Sequence, residues 1–128
     1  WVAEALGLPF VYVGASARDH GMKNLVEGYL EEGKKGVVGE DLISTGGSSL
    51  KAVAALREEK QANVLGMVAI FTYQFPLAQE QFAAANVELT TLSNYNALVE
   101  AAAEINYIDE SVVPTLQEWR KDPANWQK

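Results

Sequence analysis

Glu40 and Asp41 stand side by side near the end of an apolar run, and the chain then passes through Ser44-Thr45-Gly46-Gly47-Ser48. These two groups of residues suit one ligand. A turn of small residues that opens into a helix leaves backbone N–H groups free at the helix start, where the helix dipole favours negative charge. Gly46 and Gly47 allow the backbone to approach a ligand closely, and Ser44, Thr45 and Ser48 add hydroxyl donors. A bare phosphate cradle would avoid carboxylates. Glu40 and Asp41 therefore point to a phosphate that also carries sugar hydroxyls or a magnesium ion, since carboxylates accept from a diol and hard oxygen ligands suit Mg2+. Phosphate on the turn and ribose on the carboxylates describe a ribose-5-phosphate site.

The elements that must position this stretch follow from the pattern around it. Val37–Ile43 is expected to be a strand, with Gly39 marking a bulge or a close approach of backbone. A helix follows to about Lys60, capped by Ser48 or Ser49, with Leu50, Val53, Ala54 and Leu56 inward and Lys51, Arg57, Glu58 and Glu59 toward solvent. The near-continuous apolar run Val64–Tyr73 predicts a strand buried on both faces, as in a parallel sheet. Leu77–Ala85 predicts a helix, Val87–Leu92 an edge strand, Ser93 or Asn94 the cap of a helix to about Ile105, and Val112–Lys121 a last amphipathic helix. Upstream, Trp1–Leu6 has the pattern of a helix end stopped by Gly7, Phe10–Val13 that of a buried strand, and Leu25–Leu30 that of a returning strand. Between them lies a segment with neither period that holds Arg18, Asp19 and His20. Alternation of strands and helices implies βαβ units, hence an α/β fold with a mainly parallel central sheet flanked by helices. Ligands of such sheets bind beyond the carboxyl ends of the strands, where Glu40–Ser48 falls.

Composition bounds the function. The 128 residues suffice for a single domain, residues 1–128, and 48% of them are hydrophobic. A net charge of −7 argues against nucleic acid or an anionic membrane as partner. The chain has no cysteine, which excludes disulfides and thiolate metal sites and suits a cytoplasmic location. It begins at Trp1, inside a helical pattern, so an element before it is expected to be missing.

Glu40-Asp41-Leu42-Ile43-Ser44-Thr45-Gly46-Gly47-Ser48 resembles the phosphoribosyl-pyrophosphate (PRPP) motif of type I phosphoribosyltransferases, and in its wording the orotate phosphoribosyltransferases. Arg18-Asp19-His20-Gly21 is similar to the K-D-H-G of that family's catalytic loop, and Asn24–Gly28 to its returning N-x-(I/V)-E-G. Leu116–Pro123 is similar to the end of bacterial members. The resemblance implies transfer of phosphoribose from PRPP to orotate with Mg2+ carried by PRPP, and a homodimer. By it, Glu40 and Asp41 hold ribose, Thr45–Ser48 hold the 5′-phosphate, Leu42 and Ile43 complete the motif, and Ser44 lies near orotate. Arg18 and His20 would be catalytic, reaching pyrophosphate in the partner subunit's site. The chain departs from the family at Gly14, where the loop carries arginine, at Arg18, where it carries lysine, and at Gly39, where the strand residue is apolar. It resembles the C-terminal two-thirds of the family's chain, with the N-terminal part absent, which implies ligand binding rather than ordinary turnover for this polypeptide alone.

Two other readings compete. One is a non-catalytic PRPP- or ribose-phosphate-binding module, or an inactive fragment of such an enzyme. The other is a nucleotide binder of the Walker type, which the turn disfavours because it lacks the Gly-Lys-Ser/Thr ending.

Overall fold

The computed structural model describes residues 1–14 and 25–126. Helix α1 (Val2–Ala5) is a single turn, and Gly7 leaves it in the left-handed region at φ 64°. Strands β1 (Tyr12–Val13) and β2 (Val26–Glu27) form a two-stranded antiparallel ribbon, with Tyr12 opposite Glu27 and Val13 opposite Val26. The main sheet is parallel throughout, in the order β3-β4-β5, from Lys35–Ile43, Asn63–Thr72 and Leu89–Asn94. Helix α2 (Gly47–Lys60) crosses from β3 to β4, and α3 (Pro76–Ala84) from β4 to β5. Helices α4 (Tyr95–Glu104) and α5 (Val113–Lys121) follow, joined by a 3-10 turn at Glu110–Val112, and a second 3-10 turn at Pro123–Asn125 comes after α5. The expected α/β architecture with a parallel sheet is present.

The core lies between the sheet and the helices α2 and α3. Ile43, Val53 and Met67 are at most 1% exposed, and Leu56, Ala69, Ala78 and Phe82 join them in one cluster. One irregularity keeps this face continuous. The register of β4 against β3 slips by a residue, since Gly36 pairs with Val64 but Val37 with Gly66. The extra residue, Leu65, lets Val64 and Met67 share the buried face although they are three apart. Gly66 is needed there because a methyl group on it would sit 3.1 Å from the Glu88 carbonyl oxygen, which accepts from the Met67 N–H at 2.8 Å.

Several expectations are corrected. The close approach belongs to Gly66 and not to Gly39, around which space is open and which has no positive φ. Strand β4 is buried on one face only: Leu65, Val68 and Ile70 are 46–59% exposed, because no described element packs over them. Phe10 and Tyr12 are also exposed, since β1 is paired only with β2 and lies outside the main sheet. In α2 the inward residue is Ala55 and not Ala54.

Two charges expected in solvent are instead structural. The Glu59 carboxylate accepts from the backbone N–H groups of Leu25 at 2.9 Å and Val26 at 3.1 Å. The Arg57 guanidinium donates to the Ala85 carbonyl at 2.8 Å, at the C-terminal end of α3, where a cation complements the helix dipole. No helix among the described residues is long and apolar enough to cross a membrane.

Candidate functional site

Ile43, Thr72 and Asn94 lie in one row across the sheet and end its three strands together. Beyond that row the chain leaves each strand differently. From β3 it turns through Ser44–Gly46 into α2, from β4 through Tyr73–Phe75 into α3, and from β5 directly into α4. The β3 exit is the sequence motif.

Ile43 anchors this exit, fully buried beneath the turn. Ser44, Thr45, Gly47 and Ser48 are exposed above it. Gly46 is the N-cap of α2, at φ 86° and ψ −4°, a conformation open to glycine at little cost. Glycine is required on a second ground, since a methyl group here would lie 2.7 Å from the Phe82 ring carbon Cε2. The Phe82 ring therefore shapes the turn from below.

The expected serine cap is not found. The N-cap Gly46 has no side chain to cap the start of α2, Ser48 is exposed, and Ser49 is buried against the core. The Gly46 carbonyl accepts from the Leu50 N–H at 2.9 Å, so the helix begins regularly, without the serine cap on its leading amides. The first turn carries no acidic residue that would repel an anion. What serine side chains would have taken remains available to a ligand.

Glu40 and Asp41 occupy successive positions of β3, so their side chains leave opposite faces of the strand. Glu40 is half-buried, in register with Ala69 on the covered face, whereas Asp41 is exposed. The Asp41 Oδ1 accepts from the Leu42 N–H at 2.7 Å, which fixes that carboxylate at the strand edge. Leu42 is exposed beside it. Among the described residues no three acidic, histidine or cysteine side chains gather to cage a metal. Glu40 and Asp41 offer hard oxygen donors of the kind magnesium accepts. Arg18 and His20 lie outside the described residues.

The β4 exit is the motif's direct neighbour; from the sequence, Thr72 and Tyr73 read as structural polar groups at a strand end. The Tyr73 N–H donates to the Ile43 carbonyl at 3.0 Å, joining the two exits. The Thr72 hydroxyl accepts from the Gln74 N–H at 3.1 Å, and Gln74 has a left-handed φ of 56°. Tyr73 stacks on Phe75 with centroids 5.2 Å apart and meets Phe71, Tyr95 and Trp119 edge-on or tilted. Tyr95 donates its hydroxyl to the Leu116 carbonyl at 3.2 Å. Burial pushes its pKa up from 10.0; the Arg120 charge opposes this shift and Tyr73 adds to it. Asn94 accepts from the Ala97 N–H at 3.0 Å, as expected of a cap.

With this geometry the relatives can be compared. No family model matches the chain. An orotate phosphoribosyltransferase from Phocaeicola vulgatus is 58% identical over 126 residues, covering 98% of this chain and 59% of that protein. Over nearly its whole length the chain is therefore similar to orotate phosphoribosyltransferases. It spans about three-fifths of the length of the curated relatives it matches (59% of the Phocaeicola protein). Solved members share its fold: the Aeropyrum pernix orotate phosphoribosyltransferase superposes with a TM-score of 0.70 at 24% identity, covering 84% of this chain and 57% of that one. The Mycobacterium tuberculosis orotate phosphoribosyltransferase, solved in complex with inorganic phosphate, has a TM-score of 0.56 at 27% identity, covering 76% and 55%.

Proposed function

We propose that this chain supplies the PRPP-binding part of an orotate phosphoribosyltransferase. In that reaction N1 of orotate loses its proton and bonds to the ribose C1 as the C1–O bond to pyrophosphate breaks, the proton passing to pyrophosphate or water. The products are orotidine 5′-monophosphate and pyrophosphate, a step of pyrimidine biosynthesis. The observation that carries the reading is the start of α2, with a left-handed glycine, Gly46, as its N-cap and so no side-chain cap from that position. The leading amides of α2, with the hydroxyls of Thr45 and Ser48, hold the 5′-phosphate. Glu40 and Asp41 accept from the ribose hydroxyls, and Ser44 stands where the base begins. The phosphate bound in the Mycobacterium tuberculosis relative is consistent with an anion site in this fold.

The transition state has oxocarbenium character, so the protein's work is positioning and electrostatic. Carboxylates beside the ribose favour positive charge on the sugar. Magnesium, carried in with PRPP, would neutralise charge on the departing pyrophosphate. Arg18 and His20 would meet the pyrophosphate from a partner subunit of a cytoplasmic homodimer.

A second reading, binding of ribose phosphate without turnover, is favoured by the uncovered apolar face of β4 next to the site. Calorimetry with PRPP and Mg2+, run beside an assay of pyrophosphate release on addition of orotate, separates the two. Binding is expected, and absence of binding overturns both. Release at an ordinary enzymatic rate would reject the second reading.

A further inference from the structure

We infer that Arg120 is a positioning residue for the base end of the ligand, acting through Gln74. This rests on the ribose-phosphate reading of Glu40–Ser48. The Arg120 Nη1 donates to the Gln74 carbonyl at 2.5 Å, spanning from α5 to the exit of β4. Gln74 is held left-handed, a conformation unfavourable for a residue with a side chain. Arg120 Nε and Gln74 Oε1 are both buried without a hydrogen-bond partner among the described residues, which is unfavourable again. Two unfavourable features therefore meet at one contact, on the ligand edge of the sheet, one strand from the motif.

The contact has a consequence for the site. Gln74 follows Tyr73, whose N–H is bonded to the Ile43 carbonyl, the residue immediately before Ser44. A ribose held on Glu40 and Asp41, with its phosphate on the α2 amides, leaves its C1 substituent to extend along this edge. The Tyr73–Gln74 backbone is the nearest structure on the β4 side. Fixing Gln74 from behind with a guanidinium sets the height of that wall and hence the space for a flat heterocycle. The aromatic stack of Tyr73, Phe75 and Trp119 limits lateral movement of the same segment, so Arg120 is left to fix its backbone twist.

The test uses two probes on the full chain, ribose 5-phosphate and orotidine 5′-monophosphate, by titration calorimetry. Their affinity ratio isolates the contribution of the base. Arg120→Ala is expected to lower that ratio roughly tenfold, the size of one lost charged hydrogen bond, with ribose 5-phosphate affinity unchanged. Arg120→Lys keeps a donor for the Gln74 carbonyl and retains the ratio. Gln74→Gly, which removes the cost of the left-handed backbone, restores most of the ratio in the Arg120→Ala background. Equal loss for both probes, or an unchanged or absent base preference, overturns the role of Arg120 while the ribose-phosphate reading stands. Failure of the wild-type chain to bind ribose 5-phosphate overturns both.

Discussion

The two faces of the parallel sheet differ sharply. On one, Met67, Ala69 and Ile43 are sealed beneath α2 and α3, and the same helices shape the candidate site through Gly46 and Phe82. On the other, Val37, Val68, Ile70 and Leu92 are apolar and exposed, Leu92 to 86%. Parallel sheets ordinarily have both faces covered. The closed face thus carries the stability and the candidate site's turn together, and the open one contributes little to either.

That contrast can be broken or sharpened by substitution. The largest effect is expected from Met67→Ala, which leaves a cavity in the closed face and costs about 2–5 kcal/mol in urea unfolding. Gly46→Ala comes next, at about 1–3 kcal/mol from the clash with Phe82 plus the left-handed backbone. It should also abolish phosphate binding measured by calorimetry. Glu59→Ala removes the acceptor for Leu25 and Val26 and should cost about 1–2 kcal/mol. Amide exchange at those two residues should accelerate with it.

A smaller, pH-dependent effect is expected at Tyr95. Its folded pKa is raised, so its contribution to stability is complete below 10.0 and is lost as pH rises through the folded value. Comparing unfolding midpoints at neutral and strongly alkaline pH checks this, and Tyr95→Phe should flatten that part of the decline. Smallest of all, Ile70→Ser on the open face should change stability by no more than about 0.5 kcal/mol. A loss near that of Met67→Ala would mean that the open face is covered in solution, and the contrast between faces would fail.

Much of this was legible in the sequence because it rests on local rules. The βαβ order follows from the periods of the apolar runs, and the turn into α2 from small residues between a strand and a helix. Asn94 announced itself as a cap. What was missed depends on contacts distant along the chain. Glu59 looks like any solvated helix carboxylate until β2 is seen beside it, and Arg120 is 46 residues from the carbonyl it holds. Val64–Tyr73 is apolar enough for a doubly covered strand, and only the absence of a described neighbour shows one side open. The bulge at Leu65 exchanges which residues face inward, a change that no simple alternation encodes. Serine at a helix start ordinarily caps it, but here the left-handed Gly46 sets the cap and Ser49 turns into the core.

Helix α2 makes contacts at both ends that depend on its length. Gly46 and Gly47 begin it at the turn of the candidate site, and twelve positions on from Gly47, Glu59 grips the ribbon strand β2. An α-helix advances by about 100° per residue. A single inserted or deleted residue between Leu50 and Glu58 would therefore swing the Glu59 carboxylate about a quarter-turn away from Leu25 and Val26, while the turn at Gly46 stayed intact. Loops elsewhere can absorb a change of length, but this helix cannot. Gaps in the relatives' alignments should be absent from this helix and confined to the surrounding connections.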